Sequence, residues 1–132
     1  MNLRTVSAVA LAALLGASAV NHVRNPKFYY PVVPPVLCTE KDGNLGVMTR
    51  NQWVLASAVP EALAVAGLLA PKTRKATATA TALMFTGFTA GHVSALRHAF
   101  GPAGTPEARR IHAVRLPLQI PLVLWAWSIR RA

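Results

Sequence analysis

Four apolar runs, at about residues 3–21, 53–70, 75–97 and 111–129, divide this chain, and most of its charged residues lie between them. Each run is close to the roughly 20 residues that an α-helix needs to cross a bilayer. At membrane depth there is no water to satisfy backbone N–H and C=O groups, so the backbone must close its hydrogen bonds internally, as a helix does. The expected fold is therefore all-α. It is a membrane four-helix bundle, one integral membrane domain over residues 1–132, with a Pro- and aromatic-rich interfacial connector between the first two helices.

Composition agrees with that expectation. The 132 residues are 53% hydrophobic and only 14% charged, whereas a soluble domain carries about 25% charged residues. Lys and Arg number 14 against 4 Asp and Glu, a net charge of +10. Such an excess can serve nucleic acid, acidic lipid or membrane topology. Here the basic residues occupy short connectors and not one face of an amphipathic helix, which favours topology and argues against a nucleic-acid partner. Cys38 is the only cysteine, which rules out an intramolecular disulfide or a Cys-x-x-Cys redox pair.

The first run starts basic (Arg4) and ends near Ala17-Ser18-Ala19, which resembles the small-residue end of a secretory signal. We read it as a retained helix, because Asn21-His22 directly after it belongs to a pattern described below. Ala8, Ala12 and Gly16 fall four apart and would let a neighbouring helix approach closely. The connector that follows cannot be one regular helix, since its prolines remove donors and favour extended geometry at the preceding residue. Its Phe28, Tyr29 and Tyr30 suit the headgroup zone, so the segment is expected on the membrane surface or folded back over the bundle as a lid. Glu40 to Asn44 reads as an exposed, turn-rich stretch.

In the second run Trp53 is an interface anchor, and Pro60 frees a carbonyl beside Glu61, so Pro60-Glu61 is expected to face inward. The third run is rich in threonine, whose hydroxyls can bond back to carbonyls one turn earlier. It also carries Gly87-x-x-x-Gly91, a helix-packing pattern, and sets Phe85, Phe88 and His92 on one face. The fourth ends in Trp125, Trp127 and Arg130-Arg131, an aromatic belt and a basic stop. Four passes put both termini on one side, and charge density beside the helix ends (Arg4, Lys72, Arg74, Lys75, Arg130, Arg131) makes that side cytoplasmic.

An arginine inside such a segment costs roughly 2.5–3.5 kcal/mol at mid-helix, so Arg115 needs a partner within the protein. Glu61 is the one carboxylate in another apolar run. At about 1.5 Å rise per residue, His22, Glu61, His92 and Arg115 all fall in the outer half of the bundle. Gln119 follows Arg115 by one turn, and Pro117 and Pro121 release further carbonyls. The expectation is a Glu61–Arg115 ion pair in an apolar-walled pocket suited to the carbonyl head of a quinone or another lipid-like molecule. That pair can serve a ligand or simply fix helix packing, and both readings stand at this point. No metal site is expected, because the paired carboxylates and histidines of a di-metal bundle are missing.

Asn21-His22, Asn25-Pro26-Lys27-Phe28-Tyr29, Val33-Pro34-Pro35, Ser57-Ala58-Val59-Pro60-Glu61, Gly67 to Arg74, and Arg115-Leu116-Pro117-Leu118-Gln119 with Trp125-Ala126-Trp127 come in an order that resembles the DoxX-like family of small four-helix membrane proteins. The chain departs from that family at Pro60, where many relatives have another residue, and in extra connector length at Lys41 to Arg50. The resemblance implies a bacterial cell-membrane protein associated with oxidoreductase assemblies, some quinone-dependent, with His22, Glu61 and Arg115 as its polar positions. On that basis Glu61 would exchange protons and Arg115 polarise a carbonyl, with His22, His92 and Gln119 completing a quinone site. The chain would then partner the lipid bilayer and subunits of a membrane oxidoreductase. The alternative is a non-catalytic assembly or lipid-handling protein.

Overall fold

The computed structural model describes residues 2–34, 37–39 and 47–131. The turn-rich stretch 40–44 and most of the added connector length lie outside the described residues. Among them the fold is all-helical: α1 (Leu3–Arg24), a 3-10 segment (Pro26–Val32), α2 (Arg50–Leu69), α3 (Arg74–Ala99) and α4 (Pro106–Arg131).

Caps set where the helices begin, and they start α2 and α4 before their apolar runs. Asn2 Oδ1 accepts from the Thr5 N–H at 2.8 Å to start α1. Thr49 and Gln52 exchange side-chain and backbone bonds at 3.1 and 3.0 Å, a capping box that starts α2 at Arg50 instead of at Trp53. Thr105 Oγ1 accepts from the Ala108 N–H at 3.1 Å, and Pro106 takes the first-turn position where its missing N–H does no harm. That is why α4 begins five residues before the apolar run does.

α1 packs along α2 and α3 along α4, while α2 and α3 meet less and α2 and α4 lie across from one another. The end that carries the termini and the α2–α3 turn is densely filled: Ala8, Leu11, Ala12, Leu68, Ala82 and Ala126 belong to one buried cluster. Ala8 and Ala12 thus use the small face for close packing, as expected. Trp125 Nε1 donates to Ser7 Oγ at 2.9 Å, tying α4 to α1 there. The Arg74 guanidinium donates to the Leu68 carbonyl at 2.8 Å and to Thr5 Oγ1 at 3.3 Å, closing the C-terminus of α2 against α1.

The three prolines inside α-helices, Pro60, Pro117 and Pro121, are exposed on outer faces. Only Glu61 of the Pro60-Glu61 pair turns inward, because neighbours in a helix are about 100° apart. The threonines of α3 bond back as expected: Thr81 to Thr77, Thr86 to Ala82 and Thr89 to Phe85, at 2.8, 2.8 and 3.0 Å.

The connector corrects the expectation of extended chain, because residues 26–32 form a 3-10 helix with Pro26 in its first turn and Pro31 inside. Proline's fixed φ near −65° fits that geometry. So long a 3-10 run is uncommon, and side chains pin it: Asn21 Nδ2 donates to the Tyr29 hydroxyl, and that of Tyr30 donates to Asn51 Oδ1, each at 2.9 Å. Beyond it, Trp53 Nε1 donates to the Leu37 carbonyl at 2.6 Å, and Cys38, buried, bridges to Met48.

Gly91 does not serve helix-on-helix packing. A Cβ there would strike the Val32 carbonyl oxygen, so the glycine admits the connector backbone against α3, while a Cβ on Gly87 would meet nothing within 4 Å. One half of the G-x-x-x-G pattern is therefore a seat for the connector, and the other half faces open space.

Candidate functional site

Opposite the dense end, the helices part around a cavity of ≈ 820 Å³. Its deeper walls include Leu15, Phe85 and Leu122, and its outer mouth lies under Phe28, Tyr29 and Val32 of the connector. The connector is thus a cover over the bundle, one of its two expected placements. His22, Glu61, His92, Arg115 and Gln119 all line this one cavity. Four of them are nearly sealed from solvent: His22 is 4% exposed, Glu61 3%, His92 7% and Gln119 7%.

Their pairing differs from expectation. Ser18 Oγ donates to Glu61 Oε1 at 3.0 Å, and His22 Nδ1 stands 3.7 Å from Glu61 Oε2. Arg115 makes no ion pair or hydrogen bond among the described residues; its guanidinium carbon sits 4.8 Å from the centre of the Phe28 ring. The expected Glu61–Arg115 ion pair is therefore absent. The physical reason is helix placement: Glu61 leans toward α1, which packs on its own helix, whereas Arg115 hangs from α4 across the cavity.

The acid and the imidazole are positioned by a repeat of spacing. Ser18 and His22 are four apart on α1, and Ser57 and Glu61 are four apart on α2, so each helix presents two polar groups on one face and the faces oppose. Ser57 Oγ is 3.1 Å from His22 Nδ1 and donates its own hydrogen to the Val54 carbonyl at 2.7 Å. With that hydrogen committed, Ser57 oxygen is an acceptor for an Nδ1–H. The Tyr29 ring meets the His22 ring edge-on, centroids 3.9 Å apart, and Phe28 meets Tyr29 at 5.1 Å. A chain of rings thus runs from His22 to the guanidinium of Arg115.

Three buried polar atoms of cavity residues have no hydrogen-bond partner: Glu61 Oε2, for which the 3.7 Å to His22 is too long, His92 Nδ1 and Gln119 Oε1. Leaving such atoms unpaired costs about 1–3 kcal/mol each. They sit around a space large enough for a ligand, which falls in the range of about 300–1,000 Å³ usual for small-molecule sites. Among the described residues no three of His, Cys, Asp and Glu come together to hold a metal ion.

The family model described as a domain of unknown function, DUF8561, matches residues 11–130. The chain belongs to this family. The match runs from within α1 to the last turn of α4 and includes every cavity residue named above. No curated protein and no solved structure matches the chain.

Sequence reasoning missed Ser18 and Ser57 as partners of the acid and the imidazole, although the four-residue spacing within each helix was the signal. It also left His112 without a role. That side chain is 6% exposed, and its Nδ1 is unpartnered.

Proposed function

We propose that this chain is an integral membrane protein, a four-helix membrane bundle that holds a lipid-like molecule in the cavity between its helix pairs. The observation that carries this reading is the cavity: apolar inner walls, and at one end three buried polar atoms with no partner. Two helices, Leu3–Arg24 and Arg50–Leu69, are long and apolar enough to cross a membrane. α3 and α4 are as long but more polar, with threonines in one and arginines in the other. Their outward leucines support spanning as well: Leu63, Leu83 and Leu124 are 67%, 67% and 62% exposed, on α2, α3 and α4. Bare leucines on several helices suit acyl chains far better than water.

The resemblance to DoxX-like proteins favours a redox-associated subunit in a bacterial cell membrane, with its termini cytoplasmic and a quinone as the bound lipid. The donors present fit a quinone head in part. His92, Gln119 and Arg115 can each donate to a carbonyl oxygen, whereas Glu61 Oε2 can do so only when protonated. A quinone would supply two-electron redox chemistry to a partner subunit, and the protein's part would be to orient the ring, exclude water and hold a proton at Glu61. The second reading, a lipid-handling or assembly protein without chemistry, is favoured by Ser57, the hydroxyl beside the His22 imidazole, giving its hydrogen to the Val54 carbonyl and not to the ring.

Purification in mild detergent, followed by solvent extraction and mass spectrometry, tests the proposal. A stoichiometric quinone or other amphiphile is expected, reduced in amount by Leu122→Trp, which fills the cavity. Protein that is folded yet carries no amphiphile above the level of bulk lipid would refute it.

A further inference from the structure

Arg115 is the one Lys or Arg among the described residues that line the main cavity, and no acid stands beside it. Glu61 is held toward α1 by the hydrogen bond from Ser18, whereas the Arg115 guanidinium has no carboxylate or hydrogen-bond acceptor among the described residues and rests against the face of Phe28. A guanidinium at the wall of an apolar cavity keeps five N–H donors in a planar fork. The Phe28 face attracts the cation but leaves those donors unpaired.

The field around the mouth has the same sign. Arg24 and Lys27 line a second cleft of ≈ 530 Å³, which shares Asn21 and Phe28 with the main cavity. Facing the main cavity, the other titratable groups are His22 on α1, Glu61 on α2, His92 on α3 and Tyr29 on the connector. The single acid among them is on α2, hydrogen-bonded to Ser18 of α1.

Resting on the reading that the cavity holds an amphiphile, we infer that this amphiphile is anionic: a single-chain lipid whose carboxylate pairs with Arg115 while its chain runs inward along Leu15, Phe85 and Leu122. The head and wall match one to one. A planar carboxylate meets the planar guanidinium through two parallel N–H···O bonds and neutralises its charge. Arg115 and Phe28 lie at the outer end of the cavity and the leucines deeper, so head and chain fall where a lipid in the outer leaflet already holds them. His92 Nδ1, a donor when it carries the ring proton, stands at the same walls as a further partner for the head. A neutral quinone head would leave the guanidinium charge uncompensated.

Displacement of a fluorescent long-chain fatty acid from the full-length protein in phosphatidylcholine nanodiscs tests this, with palmitate, hexadecanol and decylubiquinone as competitors. Palmitate should compete at roughly tenfold lower concentration than hexadecanol, the difference expected of one charge-assisted bond. Arg115→Gln should abolish that preference and Arg115→Lys should keep part of it. Phe28→Leu, which removes the ring but not the charge, should leave it in place. Equal competition by acid and alcohol, a preference that survives Arg115→Gln, or tighter binding of decylubiquinone than palmitate each overturns the anionic assignment and leaves the cavity reading standing. Saturable binding of no amphiphile at all by folded wild type overturns both.

Discussion

Gly91→Ala and Gly87→Ala, two changes in one G-x-x-x-G pattern, should move the protein in opposite directions. At Gly91 a new Cβ meets the Val32 carbonyl oxygen, with Val32 Cγ1 at 2.8 Å and the carbonyl carbon at 3.3 Å. The obstacle is mostly backbone, held in a 3-10 turn behind Pro31, so no side-chain rotation relieves it. Overpacking of this kind costs about 1–3 kcal/mol, and the connector must lift from α3 to escape it. An opening eased by that amount is roughly 5- to 150-fold more populated. At Gly87 nothing lies within 4 Å of the new Cβ, and alanine in a helix interior gains up to about 1 kcal/mol over glycine. The assay is limited trypsin digestion at Arg24 and Lys27, both exposed beside the connector, together with thermal unfolding in detergent. Gly91→Ala should be cut faster and melt lower, and Gly87→Ala should be cut like wild type and melt no lower. If Gly91→Ala behaves as wild type, or Gly87→Ala is equally damaged, the connector is not seated on Gly91 and the argument fails.

Three more outcomes follow from the packing. Gly67→Ala should destabilise, because its Cβ would strike the Thr77 hydroxyl and methyl, and Thr77→Ala in the same chain should restore most of the loss in a melting experiment. Thr49→Ala removes the capping box that begins α2 and should cost about 1 kcal/mol in denaturant titration, with Thr49→Ser near wild type. Trp125→Phe deletes the indole donor to Ser7 and should cost about 1 kcal/mol, while Ser7→Ala combined with it should add little.

Helix number and rough extent were legible because each apolar run announces itself by length, and the back-bonding threonines of α3 announce themselves by composition. The helix ends were less so. Thr49 with Gln52, and Thr105 with Pro106, carry the capping signals, but they sit outside the apolar runs and hydropathy alone does not see them. The connector's 3-10 turn was illegible for another reason. Nothing local to Pro26–Val32 prefers it over extended chain; what selects it is the reach of Tyr29 to Asn21 and of Tyr30 to Asn51, contacts made only after the helices have packed.

The candidate site divides along the same line. Depth along each helix follows from counting residues, and counting placed His22, Glu61, His92 and Arg115 in the outer half of the bundle with Gln119 one turn beyond Arg115; all five line the one cavity. Which of them touch depends on which helices are neighbours, and hydropathy carries no such information. The polar spacing within helices does: Ser18 with His22 and Ser57 with Glu61 are two matched rows, each one turn long, and two such rows on antiparallel helices satisfy each other best face to face. That pairing draws α1 onto α2 and spends the carboxyl on α1. Arg115 on the far side is then left to an aromatic ring, and the same step that explains its missing acid makes it the group through which a ligand's charge would be felt.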